Sequence, residues 1–165
     1  MSTYFDTLRT GIATSEFIEA TEGVVKLFDL LGSTAFAVVQ NDMNGNIKHL
    51  VKNEGQPGDK KRTATEGLLW LLRGLDFTAQ ALRRSIENPS EELSVSFTNA
   101  YEKTLRKYHS MMVRPIFTAC PYRKDFYAKL GPSEESVRAP LLEWLAALEN
   151  IVATMQKFYE YLSLS

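Results

Sequence analysis

The segment TATEGLLWLLRGLDFTAQALRRSIE, residues 63–87, decides the class of fold. Leu68, Leu71, Leu72, Leu75, Ala79, Leu82 and Ile86 recur at steps of three, four and seven, the period of a helix and not of a strand. Trp70, Gly74, Phe77 and Ala81 make a second apolar face on the same helix. A helix that is apolar on two sides lies between two layers of structure, so this segment is expected at the centre of a helical protein. Thr63 and Glu66 precede the apolar run at capping-box spacing, which predicts a helix from Thr63 to about Glu87.

Working outward, the residues on both sides read the same way. A first helix is expected to start after Thr14 or Ser15, either a good cap, and to run to about Leu31, ended by Gly32. A second runs from about Ser33 to Leu50, with Phe36, Val39, Met43, Ile47 and Leu50 in one apolar stripe. The turn residues and charges of 53–62 predict a loop. Downstream, Asn88-Pro89-Ser90 separates a fourth helix, expected from Glu91 to Val113 and stopped by Pro115. A short helix over Tyr122 to Leu130 ends at Gly131-Pro132, and a last one runs from Ser133 to Tyr161, with Pro140 kinking or restarting it. Nine glycines and six prolines in 165 residues fall below the usual share of about 12%, in keeping with long helices. The reading is an all-α chain, with 1–165 a single domain.

Charge and composition remove several classes of function. Nineteen basic residues against twenty acidic ones create no field that would recruit nucleic acid. One cysteine, Cys120, forms no internal disulfide and fits a reducing compartment. Two histidines and one cysteine cannot build a four-ligand structural zinc site of histidine and cysteine alone, although carboxylates could hold a harder metal, and no metal or cofactor is expected. The longest apolar runs are five residues, as in Trp144 to Leu148, against about 20 for a membrane span. The opening Met1-Ser2-Thr3-Tyr4-Phe5-Asp6 lacks the order of a signal peptide, so the expected location is the cytoplasm. G-x-S-x-G, P-loop and H-E-x-x-H patterns are absent, and no enzyme activity is expected. Arg83-Arg84 is read as solvated surface, or as a contact for lipid headgroups.

Three groups of polar and aromatic residues stand in apolar company. Asp42, Asn46 and His49 fall at about 0°, 40° and −20° around a helix, on one side that adjoins the stripe of Phe36, Val39 and Met43. Polar groups bordering an apolar wall suit a ligand with a polar head and an apolar body. Spacing alone also describes the solvent-facing edge of an amphipathic helix. Trp70 is either core or a flat platform for a ring-shaped ligand group. His109 is placed on a helix face with Leu105, Met112 and Ile116, as a core histidine or as a ligand contact that can donate and accept.

The residues DMNGN (42–46), LWLLRGL (69–75), RKYH (106–109) and PYRKDF (121–126), in that order, resemble the glycolipid transfer protein family, and most closely its fungal heterokaryon-incompatibility C branch. The resemblance covers nearly the whole chain. It implies a two-layer, all-α helical sandwich that binds one glycosphingolipid and carries it between membranes without catalysis. It implies that Asp42 and Asn46 bind sugar hydroxyls, that Trp70 stacks on the first sugar, and that Asp42 and His109 hold the ceramide amide. His49 stands where the family generally has lysine, and is assigned to the headgroup with them. Phe36, Val39, Met43, Leu105 and Met112 are expected to wall the apolar pocket. The implied partners are the glycosphingolipid and, transiently, a membrane surface, with the chain a monomer. Ceramide phosphate is the alternative cargo, although its carriers place a basic residue where Trp70 stands. Segments shorter than in relatives, mainly before the second helix and between Asn46 and Thr63, support another alternative, a helical lipid-sensing or interaction module without efficient transfer.

Overall fold

Residues 63–87 are helical throughout, but the helix that contains them begins at Lys60. The computed structural model describes residues 14–32, 34–53, 60–109 and 120–164, and its helices are α1 (Thr14–Leu31), α2 (Thr34–Asn53), α3 (Lys60–Glu87), α4 (Leu93–Lys103), α5 (Arg123–Leu130) and α6 (Glu134–Leu164). No strand occurs among the described residues. The capping box expected at Thr63 is therefore not a helix start. Lys60, Lys61 and Arg62 are good helix formers, and adding residues to an existing helix costs far less than nucleating one. For the same reason α2 runs three residues past Leu50, to Asn53.

The fourth helix ends ten residues before the expected Val113. Thr104 turns its hydroxyl back onto the Ala100 carbonyl at 2.8 Å, and its own N–H reaches the same oxygen at 3.0 Å. The chain then tightens into a 3-10 turn over Arg106–Tyr108, closed by Tyr108 N–H to Leu105 O at 2.9 Å, and leaves it extended at His109. His109 is thus not on a helix face with Leu105. Met112, Pro115 and Ile116 lie outside the described residues. Pro140 neither breaks nor restarts α6, which runs through it. Pro140 and Ser136 are both exposed, so the carbonyl that loses a helical N–H faces water. Ser133 caps this helix, accepting from Ser136 N–H at 3.1 Å while the Ser136 hydroxyl accepts from Ser133 N–H at 3.2 Å.

α3 is the central element, packed against α2, α4 and α6. Both of its apolar faces are used: Leu71, Leu75 and Leu82 are fully buried on one, Phe77 and Ala81 on the other. Each buried leucine contributes about 1.5–3 kcal/mol. A chain of rings crosses the core, Phe28 stacked on Phe36 at 5.5 Å, and Phe97 edge-on to Phe36 at 5.3 Å and to Phe77 at 5.7 Å.

Polar clamps fix the outer helices to this core. Arg123, 6% exposed, donates to the Ser85 carbonyl at 2.6 Å and hydroxyl at 2.7 Å, pairs with Glu134, and lies over the Tyr127 ring. It ties α3, α5 and α6 together. Arg83 and Arg84, read from sequence as surface cations, each grip one carboxylate with two hydrogen bonds: Glu149 at 2.8 and 2.6 Å, Glu91 at 2.7 and 2.6 Å.

Candidate functional site

The site starts where α2 crosses α3. Asp42 and Asn46 are one turn apart on α2, and the Asn46 amide donates to the Asp42 carboxylate at 3.4 Å. Two glycines of α3 let α2 approach. A Cβ on Gly67 would stand 3.3 Å from the Asn46 Oδ1, and one on Gly74 would stand 3.5 Å from the Met43 sulfur. Trp70 lies between these glycines on the same side of α3, within about 60° of both around the helix. The close crossing therefore brings the polar edge of α2 beside the indole.

The turn after α4 supplies the third side. His109 is near-parallel to Trp70, with ring centroids 6.0 Å apart and 17° between planes, and Tyr101 tilts against its ring at 5.7 Å. Its Nδ1 is buried with no hydrogen-bond partner among the described residues. A buried ring nitrogen left without a partner costs about 1–3 kcal/mol.

Electrostatics join the two sides. Burial raises the Asp42 carboxyl above its ordinary value, and the charge of a protonated His109 lowers it part of the way back. Burial lowers His109, and Asp42 raises it part of the way back. Asp42 is an exposed residue, open to solvent. Both shifts favour the uncharged form, and an uncharged imidazole can donate one hydrogen bond and accept another.

The structure brings Asp42, Asn46, Trp70 and His109 together. His49 belongs to α2, but its side chain lies outside what is described. Phe36, Met43 and Leu105 are buried, at 0%, 2% and 4% exposure, and Val39 is half-buried against the same core. They belong to the continuous hydrophobic core. An apolar groove of about 600 Å³ lies elsewhere, between α1, α5 and α6, lined by Leu27, Leu30, Leu141 and Trp144 among others. Arg73 and Tyr108 belong to the site's surroundings and were not singled out by sequence reading. The guanidinium carbon of Arg73 is 4.6 Å from the Trp70 ring centroid and 3.6 Å from that of Tyr108. The i, i+3 spacing of Trp70 and Arg73 was the available signal.

Among the described residues no group of three His, Cys, Asp or Glu side chains could hold a metal, and no helix is long and apolar enough to cross a membrane. Burial pushes the Cys120 thiol up to about 12, which leaves it a small apolar side chain.

Comparison with known proteins identifies the family. The family model described as Glycolipid transfer protein (GLTP) matches residues 12–132. The chain is 49% identical to a glycolipid transfer protein of Aureobasidium melanogenum, over 94% of this chain and 92% of that one. That alignment runs over 187 positions, so the relative carries residues that this 165-residue chain lacks. It is 30% identical to human pleckstrin homology domain-containing family A member 8 over 96% of its length, and spans only 38% of that longer protein. The crystal structure of HET-C2, a fungal glycolipid transfer protein, superposes with a TM-score of 0.80 at 46% identity, covering 90% of this chain and 86% of that one. The all-α sandwich, the order of its motifs and these matches have one reading: the chain belongs to the glycolipid transfer protein family.

Proposed function

We propose that this chain binds a glycosphingolipid and carries it between membranes without catalysing a reaction. The observation that carries the reading is the meeting of an acceptor pair, Asp42 and Asn46, with an aromatic face, Trp70, and a buried imidazole nitrogen without a partner, His109 Nδ1. A sugar offers hydroxyls and an apolar face, and a ceramide offers an amide N–H and carbonyl. The four side chains match those groups in kind: carboxylate and amide for hydroxyls and N–H, indole for the sugar face, imidazole N–H for the carbonyl. His49 is assigned to the same headgroup. Phe36, Val39, Met43, Leu105 and Met112 are assigned to the wall beside the lipid chains.

The energetics suit a carrier. About thirty buried methylenes, at about 0.8 kcal/mol each, make roughly 24 kcal/mol of exposure cost for a lipid leaving a bilayer. A dry pocket removes most of that cost and needs no covalent step. The chain acts in this reading as a single-domain, cytoplasmic monomer that touches the membrane only to load and unload.

Native mass spectrometry of the purified protein after incubation with mixed sphingolipid vesicles tests the reading. A one-to-one complex with glycosylated ceramide is expected. Asp42→Asn, which keeps an acceptor, should retain more of it than Asp42→Val. Selective capture of ceramide phosphate would replace sugar by phosphate as the cargo, and capture of no sphingolipid would overturn the reading.

A further inference from the structure

The 3-10 turn that carries His109 is weakly held by its own backbone. The α4 ladder runs on through Thr104 N–H to Ala100 O at 3.0 Å and Leu105 N–H to Tyr101 O at 3.1 Å, and beyond Leu105 the turn is closed by Tyr108 N–H to Leu105 O at 2.9 Å and His109 N–H to Arg106 O at 3.4 Å. Tyr108 is 41% exposed and so is no core anchor. His109 itself is extended, at φ −107° and ψ 142°, so the direction of its ring follows wherever the turn sits. Buried Leu105 anchors the start of the turn and Tyr101 touches the His109 ring from α4, which leaves the exposed middle of the turn to be held from α3.

We propose that Arg73 is a positioning residue for this site: its guanidinium, set against the rings of both Trp70 and Tyr108, clips the turn to α3 and thereby holds His109 in its stack on Trp70. The proposal rests on the reading of Trp70 and His109 as headgroup residues. Tyr108 meets Trp70 edge-on at 6.0 Å and 75°, and Arg73 lies over both rings, at 4.6 and 3.6 Å. Arg83, Arg84, Arg106 and Arg123 each pair with a carboxylate, whereas Arg73 makes no ion pair among the described residues. Its charge is spent on two π faces. A planar guanidinium can stack on two rings at once, whereas a lysine ammonium meets them as a compact, strongly hydrated point charge. Arg73 and Tyr108 also line a polar cleft of about 550 Å³ with Asp76, Lys103 and Lys107, so no packed wall stands ready to take over if Arg73 is removed.

The test has one arm without lipid and one with it. The chain has two histidines, so imidazole ring protons give two sets of NMR signals, and His109→Gln assigns them. In Arg73→Ala the His109 signals should move toward free-imidazole positions as the ring leaves the Trp70 face, with helix content unchanged. Tyr108→Ala should do the same, and the double variant no more than either, because both remove one clip. Arg73→Lys should fall between parent and Arg73→Ala, and serves if the alanine variant folds poorly. With vesicles holding glycosylated ceramide, Arg73→Ala should bind about three- to tenfold more weakly. His109 signals unmoved in Arg73→Ala and Arg73→Lys, or additive shifts in the double variant, would overturn the clip. A parent protein that binds no glycosylated ceramide while the shifts follow the expected pattern would sink the headgroup reading and leave the clip standing.

Discussion

Replacing Gly67 by alanine should separate stability from binding. Glycine inside a helix is worse than alanine by about 0.5–1 kcal/mol, so relief of that cost favours the variant. Against it stands a single contact, the new Cβ at 3.3 Å from the Asn46 Oδ1, tighter than ordinary van der Waals distance. Asn46 is a half-buried side chain that can give by a few tenths of an ångström at small cost. The net is a gain of about 0.5 kcal/mol, or roughly 1–2 °C in Tm for a chain of this size. The shift is not small for the site. The Asn46 amide already reaches Asp42 at 3.4 Å, near the limit of a hydrogen bond, and movement breaks it. Losing one hydrogen bond of about 0.5–1.5 kcal/mol from the pair, or one from Asn46 to a sugar hydroxyl, weakens binding roughly two- to twelvefold. Thermal melts give the first number and titration with vesicles of glycosylated ceramide gives the second. A variant that is less stable would show that α2 and α3 touch here through more than Asn46. Unchanged affinity would show that Asn46 does not hold the headgroup.

Trp70→Ala should bind glycolipid about thirtyfold more weakly, from about 2 kcal/mol of lost aromatic face, while circular dichroism shows the helices intact. Trp70→Phe should keep part of the affinity, and unfolding of the alanine variant would instead make Trp70 a core residue. His109 sits below the usual imidazole value because it is buried, so between about pH 6.5 and its folded value the unfolded chain binds more protons. Stability contributed by the neutral ring is therefore lost as pH falls through that window. Asp42, raised by burial, acts with the opposite sign, and its gain comes only near the carboxylate range. Urea melts from pH 8 to 5.5 should show His109→Gln losing less stability on acidification than the parent, and parallel profiles would refute this. Arg123→Ala should cost about 2–3 kcal/mol, because it takes the guanidinium from the buried Ser85 carbonyl and from the Tyr127 ring, a fall of about 4–12 °C in Tm. A shift under 2 °C would mean that water replaces the guanidinium freely.

Much of this molecule was legible along the chain, and the pattern of errors is instructive. Helix period showed the two apolar faces of α3, and both are buried as expected. The ends were read less well. Thr63 and Glu66 have the spacing of a cap, yet Lys60 continues the helix, because a cap competes with cheap propagation into good helix formers. Pro115 looked like the stop of the fourth helix, yet Thr104 had already turned the chain, through a hydroxyl that bonds back onto its own helix. That one difference moved His109 from a helix face to the end of a turn.

Periodicity, capping chemistry and residue type are properties of neighbours in the chain, and they were enough for the all-α class, the division into helices and the grouping of Asp42 with Asn46. The family motifs added Trp70 and His109 to that group. Tertiary structure alone decided how these residues meet. Gly67 and Gly74 set how closely α2 can lie on α3, the 3-10 turn aims His109, and Arg73 joins two rings from different elements. The ion pairs of Arg83 and Arg84 are of the same kind, since a sequence shows the cations but not which carboxylates the packing brings within reach. Distances between helices come from the shapes of many side chains packed at once, and no local pattern carries that sum.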